Sequence, residues 1–512
     1  MERISVFGNG GRAGVLAEMT EEVVQKRRGT VDTILRYLFG NVLVFLASFA
    51  SFPILTRVLT VSDYGTLSLI IGTLTILYAV AKMGIQNGII RFYGEYEDKG
   101  AESNREFFST YLFSMLAMGG GVWVVYIIAI PLIAEKILGI QNTRPFYIAS
   151  FLIPAHCFYS LVYNFYWARQ DTAKFNLSGI MEAYVPLTLG IIGLILSNGA
   201  LEWFFVGGVA GRVIYAVFFG CLLRKACKVS PRAVSRGLLE RSFLYGFPLM
   251  LFELSSNLLA YGDRFLVKYY LSAREVGIYV VGYNLAMYLA NIVVIPSNNA
   301  VQSRYMDMWA KRGREETEAY VSTSLTGLIG VLAFIGFTSA ATFRDIILLF
   351  ASSKYLESVA VAPIVLASLL IYSMYPIYGA GIYLAKRTRI LLYCILFALA
   401  INVALNLLLI PRLGIIGAAL ATLGAYLAAT VCILHYSSRF FTLRIPLRSA
   451  AVFLAAGIAA YLCIGLISIG NHLLSIAVKG TLSLVVYVPI VLVLDPAMLD
   501  RGRKMIRDLR TG

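Results

Sequence analysis

Between residues 36 and 494 the chain alternates apolar runs of about twenty residues with short polar connections, and about fourteen such runs can be drawn. Each is long enough to cross the hydrocarbon of a bilayer as a helix. The pattern therefore predicts an all-α polytopic membrane protein with about 14 transmembrane helices. One run departs from simple apolarity. The stretch 243–277 opens like a spanning helix but carries Glu253, Asn257, Asp263, Arg264 and Lys268. At 100° per residue, Glu253, Asn257, Arg264 and Lys268 fall on one stripe. A charge at the bilayer centre costs about 2.5 to 3.5 kcal/mol on insertion scales, so this stripe is expected to face protein or a water-filled cavity. Asp263, about 30 Å along the helix from Phe243, is expected near the outer mouth.

The polar pattern also repeats. Leu59, Asp63 and Gly65 fall on Leu271, Glu275 and Gly277 at an offset of 212 residues, and Gln86 and Asn87 fall on Asn298 and Asn299. Arg91 with Tyr93 lies within one position of Arg304 and Tyr305 at the same offset. WARQDTAKF after the fourth run resembles LAKRTRIL after the tenth. Six spans separate the copies, so both enter the membrane in the same sense and the repeat is parallel. The expected organisation is an N-terminal tail over 1–35, an N-lobe over 36–225, a basic linker over 226–242 and a C-lobe over 243–437. Two extra C-terminal helices follow over 438–494, with a tail over 495–512.

Composition agrees with the pattern: 59% of residues are hydrophobic and 14% charged, and the mean hydropathy is +0.76. The net charge is +16, and most Lys and Arg fall on one side of the predicted spans. By the positive-inside rule both termini are expected in the cytoplasm, and the charge reads as topology and attraction to anionic membrane lipids, with no nucleic-acid partner. Six cysteines and three histidines have neither disulfide nor metal-ligand spacing, so no metal, catalytic or cofactor site is expected. GNGGRAG near the N-terminus has no room for the βαβ unit that would make it a phosphate loop.

Polar groups inside the runs supply the candidate site. Lys82 and Gln86 share one face of the second run, and Asn87 and Arg91 another. Arg212 stands beside the Gly207–Gly211 step, and Glu182 lies inside the fifth run. Arginine offers a donor fork suited to phosphate oxygens. Substrate contacts are expected from Lys82, Gln86, Asn87, Arg91, Arg212, Asn257, Arg264, Lys268, Asn298, Asn299 and Arg304. Ion coupling is expected from Glu253, Asp263 and Glu182, driven by a proton or sodium gradient.

At LTRVLTVSDYG, RFYGEYED, YGDRFLVKYYLSAREVGIY and LNLLLIPRLGIIGAALATLGAY the chain resembles the Wzx-type oligosaccharide flippases, the polysaccharide transporter branch of the multidrug/oligosaccharidyl-lipid/polysaccharide exporter superfamily. The resemblance covers about residues 36 to 440. It implies two lobes around a central cavity, alternating access, and translocation of undecaprenyl diphosphate-linked oligosaccharide to the external leaflet of a prokaryotic cell membrane. It implies cavity cations at Arg91, Arg264 and Arg304, and leaves open a polysaccharide polymerase and a chain-length regulator as further partners. Lipid II flippases and multidrug or cation antiporters of the same superfamily are the alternatives, and a membrane-embedded transferase is disfavoured because no external loop is long enough to house a catalytic site.

Overall fold

A computed structural model describes residues 39–97, 99–226, 228–444 and 447–496. The expected N-terminal tail, with its glycine-rich stretch, and the C-terminal tail beyond residue 496 fall outside the described residues. Within them the chain forms α1 (Phe39–Val58), α2 (Val61–Glu97), α3 (Ala101–Ile137), α4 (Arg144–Ala168), α5 (Thr172–Leu196), α6 (Leu201–Arg224) and α7 (Arg236–Tyr270). It continues through α8 (Ala273–Lys311), α9 (Arg314–Phe350) and α10 (Ala362–Leu384). A 49-residue segment, Arg389–Ser437, then reverses at Gly414, where φ is 61° and ψ −140°. Gly417 lies against the Leu409 backbone and Gly424 against the Leu405 side chain, so the arms α11 (389–413) and α12 (415–437) run antiparallel. Only a residue without a Cβ adopts that bend at little cost. The chain closes with α13 (Leu447–Gly465) and α14 (His472–Leu494). Fourteen apolar helices result, as the pattern of apolar runs predicts.

The internal repeat is written into the helix starts. Thr60 caps α2, its hydroxyl accepting from the Asp63 amide, and Ser272 caps α8 by accepting from the Glu275 amide. The two caps stand 212 residues apart, each with an acidic residue three positions on, so both lobes begin their second helix with the same device. The lobes meet through these copies. A Cβ on Gly65 would collide with the Ala273 carbonyl, and one on Gly277 with the Val61 carbonyl. Because 61 maps to 273 and 65 to 277, these two contacts are one contact seen twice, the mark of a two-fold relation between equivalent surfaces.

Packing inside each lobe follows the small residues. Gly207 and Gly211 bring α6 onto the Leu189 and Pro186 backbones of α5. Pro186 also removes the helical donor from the Glu182 carbonyl one turn earlier. The two extra helices lie on α9: Gly457 of α13 takes the Phe337 ring, and Tyr487 of α14 donates to the Gly330 carbonyl at 2.8 Å. Asp345 of α9 accepts from Ser475 at 2.7 Å and Lys479 at 2.9 Å, with His472 Nδ1 at 3.0 Å, all three on α14.

Candidate functional site

The second span is not continuous. Its helix stops at Lys82, passes through Met83 (φ 47°) and Gly84 (φ 75°), and restarts at Gln86. The left-handed pair costs strain at Met83, where a side chain occupies a region that favours glycine. Gly84 is required for a second reason: it meets Gly246 of α7 backbone to backbone, and a Cβ on either would strike the other's carbonyl. Where the expectation took one helix face carrying Lys82 and Gln86, the structure interrupts the helix between them. Both still reach one acceptor, for Lys82 Nζ stands 2.7 Å from Glu253 Oε1 and Gln86 Nε2 donates to Glu253 Oε2 at 3.4 Å.

From this junction a polar seam runs along α2 and α7. Asn257 donates to the Thr75 carbonyl at 3.2 Å, and Arg264 Nη1 donates to Ser68 Oγ at 2.8 Å. The polar stripe of α7 therefore faces the other lobe. Arg264 is 4% exposed, with its guanidinium 4.3 Å from the Tyr261 ring centre and 5.3 Å from that of Tyr283. Its Nε has no hydrogen-bond partner. Among the described residues no carboxylate comes within ion-pair distance of it. It lines a cavity of about 370 Å³ bounded also by Ser48, Phe52, Tyr64, Asn284 and Tyr288.

The two-fold relation of the backbone is broken in chemistry. At the offset of 212, Ser68 maps to Val280, Lys82 to Val294, Arg264 to Phe52 and Asn257 to Phe45. Val280, Val294 and Phe52 are all buried. The α2–α7 seam thus carries charge where the equivalent α1–α8 seam is apolar, relieved by Ser48 bonding Tyr288 at 3.1 Å.

A second cluster lies within the N-lobe. Arg212 donates to Glu182 at 2.7 Å and to Tyr78 at 2.9 Å, and the Tyr78 ring stacks on His156 with centres 3.9 Å apart. Tyr78 sits one turn before Lys82, so this group adjoins the seam. His156 was not expected here from the sequence, where the three histidines are scattered; only the fold brings it to Arg212.

The adjacent Asp263 and Arg264 point apart, as their 100° separation requires. Asp263, seven residues before the end of α7 at Tyr270, is fully buried, accepts from Tyr279 and receives Thr422 of α12 at 3.4 Å. Its Oδ1 has no partner. On α11, Asn402 and Asn406 are buried and bonded to each other at 2.9 Å. Asn402 Nδ2 and Asn406 Oδ1 are left over. Leu259 of α7 shares a buried apolar cluster with Ile395 and Ala398 of α11, and Asn402 and Asn406 continue that face of α11 by one and two turns. The i, i+4 asparagine pair was visible in the sequence as polar positions in an apolar run.

Arg91 is exposed beside Phe92, and Asn299 is exposed. Asn87 is spent on the Gly84 carbonyl of its own turn at 3.2 Å, and Asn298 donates to the Ser373 carbonyl of α10 at 2.7 Å. Gln86 and Asn298, equivalent in the repeat, therefore have unlike surroundings. Lys268 and Arg304 are half-buried.

Comparison with known proteins agrees on the architecture. A family model described as "Polysaccharide biosynthesis protein" matches residues 31–302. An uncharacterized membrane protein of Methanocaldococcus jannaschii is 25% identical over 407 residues, 76% of this chain and 90% of the relative. Among solved structures, a lipid II flippase, MurJ, in an inward closed conformation superposes with a TM-score of 0.73 at 14% identity, covering 92% of this chain and 100% of the other. An inward-facing multidrug resistance MATE family transporter of the MOP superfamily gives 0.60 at 15% identity, covering 80% and 98%.

Proposed function

Since the chain belongs to the polysaccharide biosynthesis protein family and folds as a multi-pass membrane transporter, we propose that it flips a lipid-linked oligosaccharide across the prokaryotic cell membrane, with an undecaprenyl diphosphate carrier. The observation that carries this reading is Arg264, a buried guanidinium on a cavity wall with a hydroxyl and two aromatic faces for company and a free Nε. A diphosphate supplies the anionic oxygens that this fork lacks. Such a headgroup cannot cross about 30 Å of hydrocarbon unaided, because each uncompensated charge costs many kcal/mol.

Translocation by alternating access requires the seam to part. Gly65 against Gly277 holds it near the α1–α2 turn, and Gly84 against Gly246 holds it farther along. As the lobes separate, Lys82, Gln86 and Arg264 lose protein partners and gain phosphate oxygens, which keeps the cations compensated in both states. Glu253, released from Lys82, becomes available to a proton.

Ion coupling is assigned to Asp263. A buried carboxylate beside Thr422, with the unpartnered Asn406 Oδ1 along the neighbouring face, offers oxygen donors suited to a hard monovalent cation such as sodium. The ion would hold α7 to the α11–α12 hairpin, and Arg264 on the next residue would transmit that setting to the substrate.

The test is complementation of a flippase-null strain. Arg264→Lys keeps the charge and loses the fork; loss of one charged hydrogen bond, about 1.5 to 3 kcal/mol, predicts a roughly ten- to hundredfold fall in export. Arg264→Ala should abolish it. Normal export by Arg264→Ala at wild-type protein level would remove Arg264 from the substrate site.

A further inference from the structure

A crevice of about 390 Å³ opens between α3, α4 and α6, away from the lobe seam. Its walls are Phe108, Leu112, Phe158 and Leu161, and its mouth carries Arg224 and Lys228. Phe158 lies ten residues inside the end of α4 at Ala168, so the crevice reaches roughly 15 Å down from the basic end of the bundle. Gly220 forms part of the wall, and a Cβ there would meet no atom within 4 Å.

Cations at this end of the bundle differ in their partners. Lys174 at the same end is held by Asp171 at 2.8 Å, and Arg241 by Glu95 at 2.8 Å. Arg224 and Lys228 are exposed, and among the described residues neither meets a carboxylate within ion-pair distance. An apolar slot beneath two uncompensated cations at the membrane surface matches a lipid with an anionic head. Its headgroup oxygens would replace water around the two cations while the upper acyl chain lies along the aromatic walls.

We propose that this crevice is a binding site for an anionic phospholipid, with the phosphate between Arg224 and Lys228 and part of one acyl chain along Phe108, Leu112, Phe158 and Leu161. The site is independent of the Arg264 cavity. It touches the first residues of the connection between the lobes, Lys228 and Val229.

Native mass spectrometry of the full-length protein in detergent tests this, with palmitoyl-oleoyl phosphatidylglycerol and phosphatidylcholine as probes. Phosphatidylglycerol adducts should persist at collision energies that strip phosphatidylcholine. At about fivefold in affinity per surface cation, Arg224→Ala with Lys228→Ala should weaken phosphatidylglycerol binding on the order of twenty- to thirtyfold. Gly220→Leu fills the slot and leaves both cations, and it should displace the lipid equally. Equal retention of the two lipids by the wild type, or unchanged adducts in either variant, overturns the site. A short polyprenyl diphosphate that displaces phosphatidylglycerol from the wild type would reassign the crevice to substrate. Export measured in the same variants separates this site from the Arg264 reading, because neither substitution touches the seam.

Discussion

Gly65 and Gly277 stand 212 residues apart in sequence and face each other across the lobes, so closely that a Cβ on Gly65 would lie 2.9 Å from the Gly277 nitrogen. Residues equivalent by internal repetition are in direct contact, which places the two-fold axis between the starts of α2 and α8. Backbone contact of this kind leaves no room for gradual adjustment. The lobes either seat there or separate.

Gly65→Leu therefore biases the protein toward separation at this end. Spin labels at Ser62 and Arg274, an exposed pair also 212 residues apart, should give a longer distance distribution in Gly65→Leu than in the parent. An unchanged distribution would mean that the glycine contact does not govern the closure.

Lys82 and Glu253 form an ion pair across the lobes, and its members are unequally buried, with side-chain exposures of 11% and 34%. Removing Glu253 strands the more buried charge. Because the carboxylate side keeps access to water, the cost is below the 3–5 kcal/mol seen for fully buried pairs, at roughly 1–3 kcal/mol. Glu253→Gln and Lys82→Met should each lower thermal stability, and the double variant should recover part of the loss. A double-mutant cycle with coupling below about 0.5 kcal/mol would show that the pair is incidental.

Asp263→Asn should remove ion-dependent stabilisation while the protein still inserts. At sodium a hundredfold above its dissociation constant, the wild type gains about 2.7 kcal/mol. Thermal unfolding in sodium against choline chloride reads this directly. A sodium shift that persists in Asp263→Asn moves the coupling ion elsewhere; no shift in the wild type, with export still dependent on a proton gradient, replaces sodium by a proton.

Topology provides a separate check. Fourteen spans and the basic asymmetry predict that both termini lie in the cytoplasm. A reporter active only outside should be silent after Gly512 and active near Asn198 or Asn471. Activity after Gly512 would require an odd number of crossings.

The sequence by itself determined the spans, the repeat and the polar stripe of α7. Those are one-dimensional quantities: apolar length against bilayer thickness, an offset of 212, and an angle of 100° per residue. It also separated Asp263 from Arg264, since neighbours on a helix cannot share a face. What the sequence left undecided is which polar residue meets which. Lys82 and Glu253 are 171 positions apart, and Asp345 and Lys479 134, and no helical period connects such pairs. Asp263 belongs with Thr422 only because α7 lies against the α11–α12 hairpin. Burial was equally invisible: Arg91 and Arg264 are both arginines next to an apolar run, yet one is exposed and the other lines the cavity. That difference is settled by the crossing of α2 and α7, whose close approach depends on Gly84 and Gly246 having no side chains to hold the helices apart.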